Sequence, residues 1–142
     1  MDAVERILED WNGQRVPLNP GAAAQDLAAL EAFLGCALPA DVRRFYSAAN
    51  GMQDYARDSK TVSFWSIHRI LREKDVARAG DGAQGTAFAD VMMYAWTFRY
   101  GVGGGRLQSV MVDGSPHEQE SFSAFLDQYV SDPKSLGLVD AV

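Results

Sequence analysis

The chain opens with Val4, Ile7, Leu8 and Trp11 at the i, i+3, i+4, i+7 spacing that lines one helix face, and Gly13 is expected to stop that helix in a left-handed conformation. Pro17, Asn19, Pro20 and Gly21 then interrupt the pattern with turn chemistry. Leu27, Leu30 and Leu34, with Phe33 alongside, form a second stripe among good helix formers, closed by Gly35. Pro39 suits the first position of a third helix, where Asp41 complements the positive end of the dipole. Val42, Phe45, Tyr46 and Ala49 continue its face up to Asn50-Gly51.

From Thr61 the periodicity changes. Thr61, Val62, Phe64 and Trp65 are β-branched or aromatic and predict a short strand, and Ile67, Ile70 and Leu71 predict a helical turn after it. A polar, glycine-bearing stretch through Gly85 reads as a surface connection. Phe88 to Met93, Tyr94 to Tyr100 and Leu107 to Val112 predict an antiparallel meander, the last two joined by a flexible hairpin at Gly101 to Gly105. Trp96, Phe98 and Tyr100 alternate with Thr97 and Arg99, so one strand face is aromatic and the other is free to be wet. Asp113-Gly114 turns the chain out of the sheet, and Phe122, Phe125, Leu126 and Tyr129 form a closing amphipathic helix that Pro133 ends. The predicted fold is one α+β domain over residues 1–142, with a largely antiparallel sheet of about four to six strands and helices at both ends of the chain packed on it.

Composition narrows the function. Hydrophobic residues at 47% and charged ones at 23% are ordinary for a globular chain. The lone Cys36 forms no internal disulfide, and the chain opens on no basic and apolar leader, so a cytoplasmic location is expected. No apolar run is long enough for a membrane span. A net charge of −6 disfavours direct nucleic-acid binding, and most of it lies from Met111 to Val142, where six acids face Lys134 alone.

The ordered residues Leu30-Glu31, Leu34-Gly35, Leu38-Pro39-Ala40-Asp41 and Asn50-Gly51 resemble the signature of the SUKH superfamily, which includes Smi/Knr-type cell-wall regulators. Trp65, Phe88-Ala89-Asp90 and the Ser121 to Tyr129 helix are similar to its Trp-bearing strand, its Phe-Ala-Asp strand and its closing helix. The resemblance implies helices on an antiparallel sheet, no known catalytic apparatus, and binding roles. Many bacterial members are immunity proteins that neutralise a toxin, frequently a nuclease, and others are scaffolds or regulators.

Individual residues point the same way. Leu38, Pro39, Asn50, Gly51, Trp65, Phe122 and Phe125 read as structural, with Asn50-Gly51 as a helix C-cap and Trp65 as core in preference to a partner anchor. The glycine run lacks the Lys-Ser/Thr of a phosphate loop, and position 106 is Arg where a dinucleotide fingerprint needs Gly. His117 with Glu118 and Glu120 lacks metal-site spacing, His68 reads as surface, and Cys36 has no nucleophile motif, so no enzyme, metal or cofactor is expected. The leading reading is a non-catalytic protein-binding domain, an immunity protein that occludes a toxin domain. The alternatives are a regulatory scaffold and, behind it, a small nucleotide-binding enzyme. Candidate contacts are Asp113, Glu118 and Glu120 for charge, Tyr55, Tyr94 and Tyr100 as anchors, and Arg99 and Arg106 for polar contacts.

Overall fold

The computed structural model describes residues 1–73, 85–112 and 118–138. Helix α1 (Ala3–Gly13) starts at Asp2, whose carboxylate accepts the Glu5 N–H at 2.9 Å, and buries Val4, Ile7 and Trp11. Gly13 stays inside the helix. Gln14 is still right-handed, so the reversal falls to Arg15 at φ 60, two residues later than the glycine suggests. Helix α2 (Ala24–Leu34) ends on left-handed Gly35 as expected, and α3 (Ala40–Ala48) begins with Pro39 as its N-cap, one residue before the predicted position.

Strand β1 (Val62–Phe64) and helix α4 (Ile67–Arg72) follow, then β2 (Thr86–Val91), β3 (Trp96–Gly103), β4 (Arg106–Val112) and β5 (Glu118–Gln119). Helix α5 (Phe122–Ser131) and a 3-10 turn (Pro133–Leu136) complete the described elements. The five strands run antiparallel in the order β1-β2-β3-β4-β5, a meander in which each strand pairs with its sequence neighbour. The fold is therefore α+β, with helices from both ends of the chain flanking one antiparallel sheet. The stretch at 74–84, together with Asp113, Gly114 and His117, lies outside the described residues.

One sheet face meets the helices through aromatic rings. Phe64, Phe88, Phe98 and Tyr100 pack on Phe45, Phe122, Phe125 and Tyr129, with Phe88 stacked on Tyr100 at 4.2 Å and a bulge at Phe88 turning its ring inward. Phe122 and Phe125 are thus core, as their spacing predicts. The hydroxyls of Tyr46 and Tyr100 satisfy each other at 2.7 Å, and burial pushes both phenols well above their ordinary range.

The ordered motif residues act as hooks between elements. Glu31 accepts the N–H of Leu38 at 2.7 Å and an Arg43 guanidinium N–H at 2.9 Å, which fixes the Leu38-Pro39 entry to α3. Asp41 accepts both the N–H and the hydroxyl of Ser123 at 2.9 Å, tying the start of α3 to the start of α5. Asn50 and Gly51 are structural but are not a helix cap, since α3 ends at Ala48 and Ala49 is extended. Asn50 instead accepts the N–H of Ile67 at 2.9 Å. Gly51, at φ 68, lies so close to Trp65 that an added Cβ would sit 2.5 Å from its carbonyl oxygen. The glycine run is likewise tighter than predicted. Gly101 and Gly103 belong to β3, and only Gly104 and Gly105, both left-handed, form a two-residue turn of the kind that joins twisted strands.

Candidate functional site

Register decides which side chains share the sheet face away from the aromatic core. Ser63, Asp90 and Thr97 lie in one row across β1, β2 and β3, opposite in facing to Phe64, Ala89 and Phe98. The alternation in β3 predicts a wet face here, yet Thr97 is 5% exposed and Arg99 only 4%, with an Arg99 guanidinium N–H reaching the Gly85 carbonyl at 3.5 Å. That side of the sheet carries buried polar groups, and Arg99 is not available for the contact expected of it.

Arg69 of α4 organises the β1–β2 end of this face. It is 1% exposed and donates to the carboxylate of Glu73 at 3.0 Å, the hydroxyl of Ser63 at 3.2 Å, the carboxylate of Asp90 at 3.4 Å and the phenol of Tyr94 at 2.7 Å. Its guanidinium carbon lies 4.8 Å from the Tyr55 ring centre, 4.9 Å from that of Trp65 and 5.7 Å from that of Tyr94. Burial works against this cation, but the hydrogen bonds it donates to Tyr94 and Glu73 outweigh it and hold the guanidinium above its already high ordinary pKa. Asp90, fully buried, accepts the Trp65 indole N–H at 2.6 Å and the Tyr94 backbone N–H at 3.1 Å, with Arg57 at 3.9 Å. Trp65 is therefore core, as expected, and also the floor of this cluster.

On that floor stands a turn with no turn residues. Met92, Met93 and Tyr94 are all left-handed, at φ 51, 58 and 67, and with Ala95 they join β2 to β3. Such backbone costs non-glycine residues about 1–3 kcal/mol each and persists only where the surroundings impose it. Here the Met92 N–H is held by the Thr61 carbonyl at 3.0 Å, the Tyr94 N–H by Asp90, and the Ala95 N–H by the Val91 carbonyl at 2.9 Å. The Tyr94 hydroxyl donates to Glu73 at 2.7 Å. Partial burial, and then that bond to an anion, keep the phenol protonated beyond its ordinary range. Met92 is 58% exposed, Met93 71%, Tyr94 39% and Tyr55, itself left-handed, 61%. Both tyrosine rings flank one guanidinium, which places Tyr55 beside the turn that carries Met92, Met93 and Tyr94, on a polar, buried support.

The structure divides the candidate contacts predicted from sequence. Tyr55 and Tyr94 come together. Tyr100 is fully buried against Phe88 and Tyr46 and is corrected from anchor to core. Glu118 and Glu120 are exposed at β5, three strand spacings or about 14 Å across the sheet from β2, so charge and anchors do not form one patch. Arg106 is exposed at the glycine turn, and Asp113 lies outside the described residues. Sequence reasoning missed Met92, Met93, Arg69 and Glu73. The one available signal was the length of the apolar stretch from Phe88 to Tyr100, too long for a single strand, in which the break expected between Met93 and Tyr94 is marked by no glycine, proline or asparagine, the one Asx residue, Asp90, standing before it.

Among the described residues no group of three or more His, Cys, Asp or Glu is placed to hold a metal ion, and no helix is long and apolar enough to cross a membrane. Cys36 is half-buried, and burial, with Glu31 adding to it, raises its thiol pKa. No curated protein matches the chain. The model of the SMI1/KNR4 family (SUKH-1) matches residues 21–128, from the linker before α2 to the second turn of α5. That span takes in Glu31, Asp41, Asn50, Trp65, Arg69, Asp90 and the exposed turn, and the chain belongs to the SMI1/KNR4 family (SUKH-1).

Proposed function

We propose that the chain is a non-catalytic protein-binding domain of the immunity type, which neutralises a toxin domain by covering it with the surface made by Tyr55, Met92, Met93 and Tyr94. The observation that carries this reading is the exposure of those four large side chains on a backbone held in place by Arg69 and Asp90. A rigid, preordered apolar surface loses little entropy on binding, and tyrosine and methionine suit such contacts. Family membership supports an immunity or regulatory role. The non-catalytic part is supported by the buried carboxylates. Asp90 is committed to Trp65, Arg69 and Tyr94, and Asp58 to Trp11, Tyr129 and the backbone of Lys60 and Val62.

The test is co-expression with the toxin domain encoded beside its gene, scored by survival and co-purification. Wild type is expected to rescue growth, and Met93→Asp to abolish rescue at equal protein level. Rescue by both would reject this surface. Absence of rescue by wild type, with no toxin gene adjacent, would favour the regulatory scaffold.

A further inference from the structure

Among the described residues, the charges around the exposed turn pair with one another. Arg69 is paired with Glu73 and Asp90, Arg72 with Asp54 at 2.8 Å, and Arg57 lies 3.9 Å from Asp90. Three cations thus meet three carboxylates, while Met92 and Met93 on the turn are more than half exposed. Glu118 and Glu120 stand about 14 Å away across the sheet, further than the roughly 8 Å over which physiological salt screens a surface charge. Among the described residues, the unpaired acids Glu118 and Glu120 therefore contribute little field where the apolar side chains are.

Resting on the binding reading above, we infer that the partner receives this turn in an uncharged, apolar concavity, so that recognition proceeds by burial of thioether and phenol rings and not by charge. The shape argument is that a four-residue turn with Met92 and Met93 more than half exposed is convex, and a convex apolar element loses most water contact inside a hollow. Unbranched methionines adjust to the contour of that hollow, while the left-handed backbone beneath them stays fixed. A cationic phosphate groove is the wrong match. It would bury unpaired positive charge against thioethers, and the carboxylates nearest the turn are already neutralised. If the toxin is a nuclease, the turn enters an apolar hollow beside its phosphate groove.

The experiment measures association of the purified chain with the toxin domain encoded beside its gene, between about 0.05 and 0.5 M salt. The association rate should change by less than roughly threefold, where charge-steered pairs fall by 10-fold or more. Met93→Asp should weaken Kd by roughly 100-fold or more, as loss of a central apolar contact does, and the pair Glu118→Lys with Glu120→Lys should leave it within about threefold. A steep salt dependence, with charge reversal at Glu118 and Glu120 dominating, would overturn the inference while leaving the immunity reading standing. Absence of any complex with wild type would remove the immunity reading. The apolar surface is then judged with the neutral dye Nile red, whose fluorescence should rise on wild type and stay flat on the Met92→Asp, Met93→Asp double variant. A flat response on wild type overturns the inference as well.

Discussion

The β1–β2 end of the sheet and its β5 end both carry acids, but they use them differently. At the β1–β2 end Asp90 and Glu73 face inward onto Arg69, and the result is a fixed support for exposed apolar side chains. At the β5 end Glu118 and Glu120 point into solvent, and neither forms an ion pair among the described residues. A buried ion pair is weak evidence for stability in itself, but removing one partner strands a charge, so the first region is intolerant of change and the second tolerant. What the contrast teaches is that the more acidic region by sequence is not the one built to hold a fixed shape.

The comparison breaks most visibly at Arg69. Arg69→Ala should cost about 3–5 kcal/mol in chemical denaturation, because Asp90 remains buried with only Arg57, at 3.9 Å, as a cation, whereas Glu118→Ala should stay within about 0.5 kcal/mol. Equal effects would mean that the network supports nothing. Gly51→Ala should cost roughly 2–3 kcal/mol, since the new Cβ meets the Trp65 backbone and the residue is left-handed. A melting temperature unchanged by that substitution would show that the shelf under Trp65 is soft.

Alkaline titration separates the core tyrosines from those of the turn. Tyr46 and Tyr100 have folded pKa values raised above the ordinary 10.0, so the native state holds their protons more tightly than the unfolded chain does. Their contribution is complete below about pH 10 and declines above it, by about 1.4 kcal/mol per pH unit for each phenol. Ultraviolet titration should show both ionising only as the fold is lost. Ionisation of Tyr100 in the native protein would contradict its assignment to the core. A small stability effect is also expected at Met93→Gly. There relief of the left-handed strain offsets the added freedom of the unfolded chain, to within about 1 kcal/mol, although partner binding falls. A large destabilisation would mean that Met93 packs in the fold and is not free for a partner.

The helices were legible because their apolar residues recur at helical spacing, and the strands because Val62, Phe64 and the runs from Phe88 onward are rich in β-forming types. The ordered motif residues were legible as a set, while their individual jobs were not. That Asp41 reaches Ser123, and Asn50 reaches Ile67, depends on contacts distant in sequence. The break between Met93 and Tyr94 was expected, but the left-handed form of the turn was hidden for the same reason. Met92, Met93 and Tyr94 have no intrinsic preference for a left-handed bend, and it is Thr61, Asp90 and Val91 that impose it. Arg69 carries no signal of its own on a short helix, and only the register of Ser63 and Asp90 reveals the pocket that receives it. Tyr100 was misjudged because alternation places an aromatic on a face without saying whether that face is covered.

Methyl-labelled methionine offers the most direct view of the binding face, because the two regions carry their own reporters. Met92 and Met93 lie on the turn, Met111 pairs with Glu118 at the acidic edge, and Met52 is buried. On addition of the proposed toxin partner, the methyl signals of Met92 and Met93 should shift or broaden while those of Met111 and Met52 stay in place. A response at Met111 with Met92 and Met93 unmoved would contradict the account.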